Sequence, residues 1–355
     1  MWAWQTRFAT GTGVCEPTSG MTTNVTVDVA DGLLARLRTE LGLPGLSFRE
    51  APERLTGGYD TLTLRFRLDG APSPLDGVLV ARIFGDSPDA GRAEREGATH
   101  QAVAAQGYPA PAVLHTSSDT GPPGAFIIMP LVQGVTLRSA MANPRVLWKS
   151  AAMLARLHAR LHALDASMLP PDERSAAMAD WPRMLSQQAS AAGVQGFGPA
   201  LEWAARNAPT TGRRSILHLD FHPGNVMVVD GQVTGVLDWA NGTTGDPASD
   251  VGTTMALLTM GPVDAPAGVA PVLNGIRKWL ARRYAAEYLR LNPLPPESIR
   301  YYEARRCLTA MLHVAIRRAG STLGEREQYA WDGPQQIAKM TRRFEAISGV
   351  KLPVP

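Results

Sequence analysis

A short polar segment, His218 to Asn225, constrains this chain more than any other part of its sequence. It reads His-Leu-Asp-Phe-His-Pro-Gly-Asn, so four of its eight side chains can hydrogen-bond or ionise. A buried polar side chain without a partner costs about 1–3 kcal/mol. A segment this rich in polar groups is therefore typical of a functional loop rather than of a packing element.

Two β-branched runs follow this loop and are joined by Asp230-Gly231. This dipeptide in a two-residue connection predicts a β-hairpin with a type I′ turn. Counting outward from the turn pairs Asn225 with Val236, and Asp238 projects from the same face as Val236. If the pairing continues, Asn225 and Asp238 are diagonal neighbours about 7–8 Å apart.

Two oxygen-bearing side chains at that separation can bind one hard cation. Magnesium takes oxygen ligands and is commonly held by one or two protein groups together with waters and substrate phosphates. The sequence therefore predicts a magnesium site with Asn225 and Asp238 as ligands. Asp220 precedes Asn225 by five residues and can face the same cleft without binding the metal. Asp230 is interpreted as a turn residue only.

These residues resemble the catalytic core that protein kinases share with aminoglycoside phosphotransferases. The pattern His-x-Asp-x-x-x-x-Asn, followed by an aspartate at the end of a hairpin, carries the resemblance. Leu-Asp-Trp at 237–239 is similar to the aminoglycoside phosphotransferase and choline kinase branch. The resemblance implies an α+β, bilobal protein-kinase-like fold, with an N-terminal antiparallel sheet lobe carrying one main helix and a mostly helical C-terminal lobe.

The resemblance also implies a role for each matching residue of the loop and hairpin. Asp220 is expected to be the catalytic base that accepts the proton of a substrate hydroxyl, and His218 is expected to brace the loop. Asn225 and Asp238 are expected to hold Mg²⁺. His222 is either part of the loop scaffold or a contact to the substrate.

A second matching segment, Gly-Asp-Pro-Ala-Ser-Asp at 245–250, is similar to the family's entry into the next helix. The resemblance implies that Asp250 hydrogen-bonds the backbone of the catalytic loop and that Asp246 fixes the turn. A different chemistry also fits part of the loop, because His218, Asp220 and His222 could form a zinc or iron cluster. That interpretation leaves Asn225 and Asp238 without a role.

The N-terminal third contains the other parts that a nucleotide-binding lobe needs. A glycine turn lies between two strand-like runs, at 48–55 and 62–68. Backbone amides in such a turn can approach phosphates closely. Its residues are the predicted phosphate contacts Gly57, Gly58, Tyr59, Asp60 and Thr61.

Arg82 is the single charge in the apolar run 77–84, and its planar fork suits phosphate or carboxylate. A helix predicted over 90–106 carries Glu96, which is expected to pair with Arg82. The alternative is that Glu94 and Glu96 lie on a solvated face with neighbouring arginines.

Two further strands are predicted at 110–115 and 125–129. The second is continuously apolar and is expected to lie in the middle of a sheet. It leads into Pro-Leu-Val-Gln-Gly at 130–134, which fits a hinge that binds the adenine base through Met129, Leu131 and Val132. Since Pro130 has no N–H group, the donor to the base is expected to be Leu131 or Val132.

The remainder of the chain is expected to be mostly helical. Leucines recur at helical spacing from Leu147 to Leu164, and this helix carries His158 and His162 four residues apart. The pair could bind a metal or could pack, and resemblance to the family's scaffold helix favours packing. Three amphipathic helices are predicted at roughly 268–291, 296–318 and 326–347, where this superfamily forms its acceptor-binding wall.

Composition limits the classes of protein. The chain of 355 residues is long enough for two lobes. We expect a disordered N-terminal extension at 1–24, a nucleotide-binding lobe at 25–133 and a catalytic, acceptor-binding lobe at 134–355. No run approaches the ~20 apolar residues of a membrane helix. Two cysteines argue against a disulfide framework, so a cytoplasmic location without membrane contact is expected.

Charge gives a clue to the acceptor. Residues 275–355 contain 15 Lys and Arg against 7 Asp and Glu, whereas the whole chain has a net charge of only +3. A basic wall disfavours a polycationic aminoglycoside and permits a neutral hydroxylated compound, a macrolide-like molecule, a sugar or an acidic metabolite. No nucleic-acid motif accompanies the basic segment. Solvated outer faces are the other explanation for most of these cations.

Together these features predict a phosphotransferase that uses ATP and Mg²⁺ and moves the γ-phosphate to a hydroxyl of a small molecule. GTP remains possible as the donor. The alternative is a pseudokinase-like module that binds nucleotide without transferring phosphate. It draws on three departures from the family pattern: Leu219 where glycine is common, Arg82 in place of lysine, and Asp60 close to the expected phosphates.

Overall fold

The computed structural model describes residues 21–55, 61–84, 91–169, 175, 180–210, 212–261, 268–320 and 332–353. The chain divides into two compact units. The first comprises Met1–Gly134 and Val233–Ala240, and the second comprises Val135–Gln232 and Asn241–Pro355. The short return of the chain at 233–240 to the first unit was not predicted.

The N-terminal unit contains a five-stranded antiparallel sheet in the order β2-β3-β5-β7-β6, and a separate pair formed by β1 and β4. Its helices are α1 (Met21–Glu40) and α2 (Arg92–Ala104). Its strands are β1 (Ser47–Phe48), β2 (Glu53–Leu55), β3 (Leu62–Phe66), β4 (Leu68–Asp69), β5 (Leu79–Ile83), β6 (His115–Ser117) and β7 (Phe126–Pro130).

The sheet buries both of its faces. Side chains alternate along β5, so Leu79, Ala81 and Ile83 join the core that α1 covers with Leu33 and Leu37. Val80 joins the opposite core with Ala93 of α2 and with Ile127 and Met129 of β7. Arg82 shares the parity of Val80. The alternation therefore directs Arg82 toward the face where α2 packs.

Three local expectations for this unit need correction. The run at 110–115 is not a strand up to residue 114, and β6 begins only at His115. Pro109 and Pro111 explain this, because a proline cannot donate to a strand ladder. The single strand expected at 48–55 is divided into β1 and β2. Helix α1 was not predicted, and it includes Met21 to Asn24 of the segment expected to be disordered; residues 1–20 of that segment lie outside the described residues.

The C-terminal unit is mostly helical. Its helices are α3 (Leu137–Ala140), α4 (Pro144–Leu161), α5 (Trp181–Ala191), α6 (Gly198–Arg206), α7 (Pro247–Met260), α8 (Ala270–Leu291), α9 (Pro296–Gly320) and α10 (Pro334–Ser348), with a short 3₁₀ turn at Ala166–Met168. Its strands are β8 (Val135–Thr136), β9 (Ser215–Leu217), β10 (Val226–Val229) and β12 (Thr243–Gly245), while β11 (Gln232–Val236) begins in this unit and ends in the other.

Short antiparallel strand pairs hold the segments around the loop at 218–225. β9 pairs with β12, and β10 pairs with β8. The turn between β10 and β11 has φ of 50° at Asp230 and 76° at Gly231, as the predicted type I′ turn requires. Helices α7 and α9 approach so closely that a Cβ on Gly252 would lie 2.8 Å from backbone atoms of α9. Glycine is therefore needed at position 252.

The predicted fold class is confirmed, with an antiparallel sheet in the N-terminal region and a helical C-terminal region. The helices expected at 268–291 and 296–318 correspond to α8 and α9. The helix expected at 326–347 begins only at Pro334 in the described part of the chain, since 321–331 lie outside it. Helices α5 and α6 were not predicted. Among the described residues, none of the helices combines the length and apolarity needed to cross a membrane.

Candidate active site

The first turn of α7 anchors the loop between β9 and β10 through hydrogen bonds. Asp250, which is fully buried, accepts the backbone N–H of His218 at 2.5 Å and that of Leu219 at 2.8 Å. Thr254, one helical turn further on, donates its hydroxyl to the carbonyl of Phe221 at 3.0 Å. The hydrogen bond expected from Asp250 to the catalytic-loop backbone is therefore present.

The backbone at Leu219 explains why the loop needs this anchor. Leu219 has φ of 60°, in the left-handed region that favours glycine. A non-glycine residue there costs roughly 1–2 kcal/mol. Leu219 thus occupies a position where glycine fits better, and the bond from its N–H to Asp250 holds it in that conformation.

Asp220 and Asn225 lie together within the loop. The Asn225 side-chain amide donates from Nδ2 to the Asp220 carbonyl at 2.9 Å and to Asp220 Oδ2 at 3.2 Å. This orients the Asp220 carboxylate, which is almost fully buried. It also leaves Asn225 Oδ1, rather than the amide nitrogen, as the atom that can bind a cation.

The two histidines of the motif support the loop through their Nδ1 atoms. His218 Nδ1 accepts the backbone N–H of Asp220 at 3.2 Å, and His222 Nδ1 accepts that of Gly224 at 2.9 Å. A Cβ on Gly224 would lie only 2.7 Å from the His222 ring. The Pro-Gly step therefore lets the loop fold tightly over His222. In the described part of the chain, His218, Asp220 and His222 are not gathered into a three-ligand metal cluster.

The entry to α7 is organised by Asp246. Its carboxylate accepts the N–H of Ala248 at 2.9 Å and caps the helix, while the Ser249 hydroxyl donates to its carbonyl at 2.7 Å. A negatively charged aspartate at this position also interacts favourably with the positive N-terminal end of the helix dipole. Asp246 therefore fixes the direction of the helix that carries Asp250.

His158 and His162 meet Asp250 in a buried cluster. Their Nε2 atoms lie 3.1 Å and 3.3 Å from Asp250 Oδ2. The three ligand-type atoms are close enough to suggest a metal site. However, the carboxylate already accepts two backbone N–H groups, and His162 Nδ1 lies 2.6 Å from the Tyr288 hydroxyl. Hydrogen bonds explain this cluster without a metal, in agreement with the packing interpretation of the histidine pair.

Burial and neighbouring side chains together set the pKa values in this cluster. Burial alone would raise the pKa of Asp250, but the adjacent His158 and His162 hold that pKa well below its usual range. Burial and the neighbouring His158 lower the pKa of His162 to about 4. His162 is therefore neutral at physiological pH, and Asp250 remains a carboxylate that can only accept hydrogen bonds.

In the N-terminal unit, the guanidinium of Arg82 joins two carboxylates. Its Nη1 lies 2.9 Å from Glu96 Oε1 on α2, and its Nη2 lies 3.0 Å from Asp238 Oδ1. The predicted pairing of Arg82 with Glu96 is therefore present. Glu96 is 1% exposed, so it does not belong to a solvated face. The pair with Asp238 was not predicted, because 156 residues separate the two in sequence.

Asp238 is fixed by the residue that follows it. Trp239 is fully buried, donates from its indole N–H to the Val236 carbonyl at 3.0 Å, and packs edge-on against His100 and Tyr108. The Asp238 backbone has φ of 65°, and its side chain is 36% exposed. The Leu-Asp-Trp segment therefore presents the carboxylate while burying the indole.

The candidate hinge is tied to the same unit. The N–H of Leu131 donates to the Val78 carbonyl at 2.9 Å and extends the ladder between β5 and β7. Because this donor is used, Val132 is the better of the two proposed donors to a base. Met129 lies buried in the core beside α2. Of the predicted phosphate turn, Gly57 to Asp60 lie outside the described residues, and Thr61 is half-buried just before β3.

Comparison with known proteins supports the fold and the family. A model of the phosphotransferase enzyme family matches residues 52–293. Acyl-CoA dehydrogenase family member 11 of Gallus gallus is 28% identical over 177 residues, which are 46% of this chain and 23% of that protein. The chain therefore corresponds to about a quarter of the length of this relative.

Solved structures with the same fold include three phosphotransferases. A putative aminoglycoside phosphotransferase from Ralstonia eutropha is 19% identical, with a TM-score of 0.57 over 90% of this chain and 95% of that one. A thermostable mutant of aminoglycoside phosphotransferase APH(4)-Ia, in complex with ADP and hygromycin B, is 18% identical, with a TM-score of 0.58 over 90% and 98%. A macrolide 2′-phosphotransferase from Brachybacterium faecium is 21% identical, with a TM-score of 0.53 over 85% and 97%.

Proposed function

The chain belongs to the phosphotransferase enzyme family, and from that premise we propose that it transfers the γ-phosphate of ATP to a hydroxyl group of a small molecule. The observation that carries the proposal is the loop from His218 to Asn225. A buried carboxylate there is oriented by the amide of an asparagine, and the loop backbone is anchored to Asp250. Such a fixed carboxylate suits a catalytic base, because phosphoryl transfer depends mainly on positioning and charge neutralisation.

We propose that Asp220 accepts the proton of the acceptor hydroxyl as it attacks phosphorus. The bond from Asn225 Nδ2 holds one carboxylate oxygen of Asp220 and thereby sets the direction of the other. His218 and His222 act on this step indirectly, since both rings bind loop backbone rather than substrate. In this proposal His222 is part of the scaffold.

Magnesium fits the donor set that the chain offers. Asn225 Oδ1 and the Asp238 carboxylate are hard oxygen donors, and the Asn225 amide nitrogen is already directed at Asp220. When bound, Mg²⁺ would neutralise charge on the transferred phosphate. Asp238 also pairs with Arg82, so a bound Mg²⁺ would compete with this guanidinium for the carboxylate. The Arg82 side chain would then be available to phosphate oxygens.

We propose a neutral or anionic acceptor rather than a polycation. Some of the positively charged side chains after residue 275 make hydrogen bonds and ion pairs that stabilise the fold. Arg277 donates to the carbonyls of Leu257, Leu258 and Gly261 at the end of α7, and Arg343 pairs with Glu303. Both cations are therefore engaged within the fold, although the Arg343 side chain remains 42% exposed. The remaining charge still disfavours an aminoglycoside.

The second candidate is nucleotide binding without phosphate transfer. The observation that favours it is the ion pair between Arg82 and Asp238, which occupies both a proposed phosphate contact and a proposed metal ligand. Opening this pair has a modest cost, because the Asp238 side chain is partly exposed and such pairs contribute about 0–1 kcal/mol. We therefore favour the active enzyme.

The test is a screen of the purified protein with ATP and Mg²⁺ against macrolides, sugars, choline-like amines and aminoglycosides. We expect at least one neutral or acidic hydroxylated compound to stimulate ADP formation and to gain one phosphate by mass spectrometry. GTP in place of ATP establishes the donor. ATP binding by calorimetry, with no phosphorylated product from any class, would instead support the nucleotide-binding module.

A further inference from the structure

Helix α8 carries two buried tyrosines whose hydroxyls contact the histidines beneath the catalytic loop. The Tyr284 hydroxyl lies 2.6 Å from His158 Nδ1, and the Tyr288 hydroxyl lies 2.6 Å from His162 Nδ1. Both tyrosines are fully buried. Neither belongs to a sequence motif of the site, and both are far from the loop in sequence.

The hydrogen bonds that link Tyr288 through His162 to Asp250 have a definite donor-to-acceptor direction. Asp250 is a carboxylate and can only accept, so His162 donates to it from Nε2. Since the neutral ring carries one proton, Nδ1 is an acceptor, and the Tyr288 hydroxyl donates to it. The Tyr288 oxygen accepts in turn from Asn292 Nδ2 at 2.7 Å.

The chain of bonds ends in a cation. Arg213, just before β9, donates from Nη1 to Asn292 Oδ1 at 2.6 Å. Every hydrogen bond from Arg213 through Asn292, Tyr288 and His162 therefore points the same way, toward Asp250. Hydrogen bonds aligned in series between a cation and an anion polarise and strengthen one another. We call these five residues the Arg213–Asp250 relay.

The relay acts on the backbone that bears the proposed base. Asp250 uses its two oxygens to hold the N–H groups of His218 and Leu219, and Leu219 has an unfavourable φ of 60°. Loss of the Tyr288 hydroxyl frees His162 to carry its proton on Nδ1. The lone pair on Nε2 would then face the carboxylate. Asp250 would lose a donor and could shift away from the loop.

We infer that Tyr288 is a positioning residue, whose hydroxyl fixes the tautomer of His162 and through Asp250 fixes the catalytic loop. This inference rests on the proposed function for its effect on turnover, but its effect on the loop does not require any activity. The Tyr284 hydroxyl contacts His158 in a similar way. Its loss is expected to have a separate effect on the position of the loop.

The test compares Tyr288→Phe with Tyr301→Phe in the full-length protein. Tyr301 is also buried and donates its hydroxyl at 2.8 Å, but to the carbonyl of Ala204, outside the relay. We expect Tyr288→Phe to raise amide hydrogen exchange at His218 and Leu219 about tenfold, and to change the ¹⁵N ring shifts of His162 toward a tautomer mixture. Tyr301→Phe should do neither. Equal exchange and unchanged ring shifts in the two variants would overturn the inference.

Turnover supplies an independent readout. Once an acceptor is known, Tyr288→Phe should lower kcat about tenfold with an unchanged KM for ATP, because the base moves while the nucleotide contacts remain. If no acceptor is phosphorylated, the proposed function fails, and the exchange and ring-shift results still decide the role of Tyr288. Should Tyr288→Phe not fold, Arg213→Gln at the exposed end of the relay must show a smaller change of the same sign, and its absence would overturn the inference.

Discussion

The proposed catalytic loop of the C-terminal unit and the Arg82 cluster of the N-terminal unit are held by different forces. The loop is fixed by two hydrogen bonds from its backbone N–H groups to one buried carboxylate, Asp250, which also lies 3.1 Å and 3.3 Å from the Nε2 atoms of two histidines. Arg82 is held by ion pairs to Glu96 and to a partly exposed Asp238. In the first arrangement one carboxylate accepts backbone N–H groups, and in the second one guanidinium joins two carboxylates.

The difference indicates which part is preorganised and which can exchange partners. Buried hydrogen bonds around Asp250 are costly to break, since each unsatisfied group costs about 1–3 kcal/mol. A partly exposed ion pair contributes little and is screened by salt. The geometry of the proposed base is thus set within the fold, whereas the Asp238 carboxylate would be able to release Arg82 if the proposed cation bound there.

Among the substitutions that test this difference, the one at Asp250 is expected to change the free energy of unfolding most. Asp250→Asn places an amide N–H against groups that donate, so we expect the free energy of unfolding to fall by about 3 kcal/mol. Asp246→Asn is the matched control, because asparagine also caps helices well and the bond to the Ala248 N–H persists. Urea denaturation measures both. A stable Asp250→Asn variant would show that the loop does not depend on this carboxylate.

The second effect is a loss of stability in mild acid. An unfolded histidine titrates near pH 6.5, whereas burial lowers the pKa of His162 to about 4. Between these values His162 binds one more proton in the unfolded chain than in the folded one, so its contribution to stability falls as pH falls, by about 1.4 kcal/mol per unit. Denaturation from pH 7 to 4 should show this slope.

The slope should be smaller by about 1.4 kcal/mol per pH unit in His162→Gln than in His115→Gln, whose imidazole contacts Glu40 in the other unit. The slope that remains is expected to come from His313, because burial lowers its pKa to about 4 as well. If the stability of the two variants depended on pH in the same way, the loss of stability in acid would arise from groups other than His162. The comparison therefore tests whether the buried cluster of His158, His162 and Asp250 keeps His162 neutral.

The smallest expected change in stability concerns Asp238. Asp238→Asn should alter the free energy of unfolding by less than about 1 kcal/mol, since the pair with Arg82 is partly exposed. Its magnesium-dependent affinity for ATP should fall about tenfold, because one proposed ligand is lost. Asp69→Asn, which removes an exposed pair with Arg49, is the control for stability. Unchanged magnesium dependence would contradict the metal role of Asp238.

Sequence patterns predicted much of the site because those patterns are local. The turn at Asp230-Gly231 follows from a dipeptide that accepts positive φ, and the pairing of Arg82 with Glu96 follows from one charge on a strand and one on the next helix. The bond from Asp250 to the loop followed from family resemblance. The first two inferences use residues that share a short motif or adjacent elements, whereas Asp250 lies 32 residues from His218.

Contacts between distant segments were beyond the same reasoning. The bond from Tyr288 to His162 spans 126 residues, and the pair of Arg82 with Asp238 spans 156. Periodicity shows that α8 has an apolar face but not which partner that face meets. Helix α1 was missed because its N-terminal half is polar, with Thr, Asn and Asp among its first residues. Packing against the sheet through Leu33 and Leu37 then accounts for the helix.

The central claim is that the Asp220 carboxylate receives the proton of the acceptor, and Asp220→Asn tests it most directly. The measurement is kcat for phosphate transfer to the acceptor found in the screen, together with the dissociation constant for ATP. Asp230→Asn, in the turn where asparagine tolerates the positive φ, is the control. We predict that Asp220→Asn lowers kcat by about 10²–10⁴-fold while the affinity for ATP stays within about twofold. Turnover within tenfold of the control would contradict the claim.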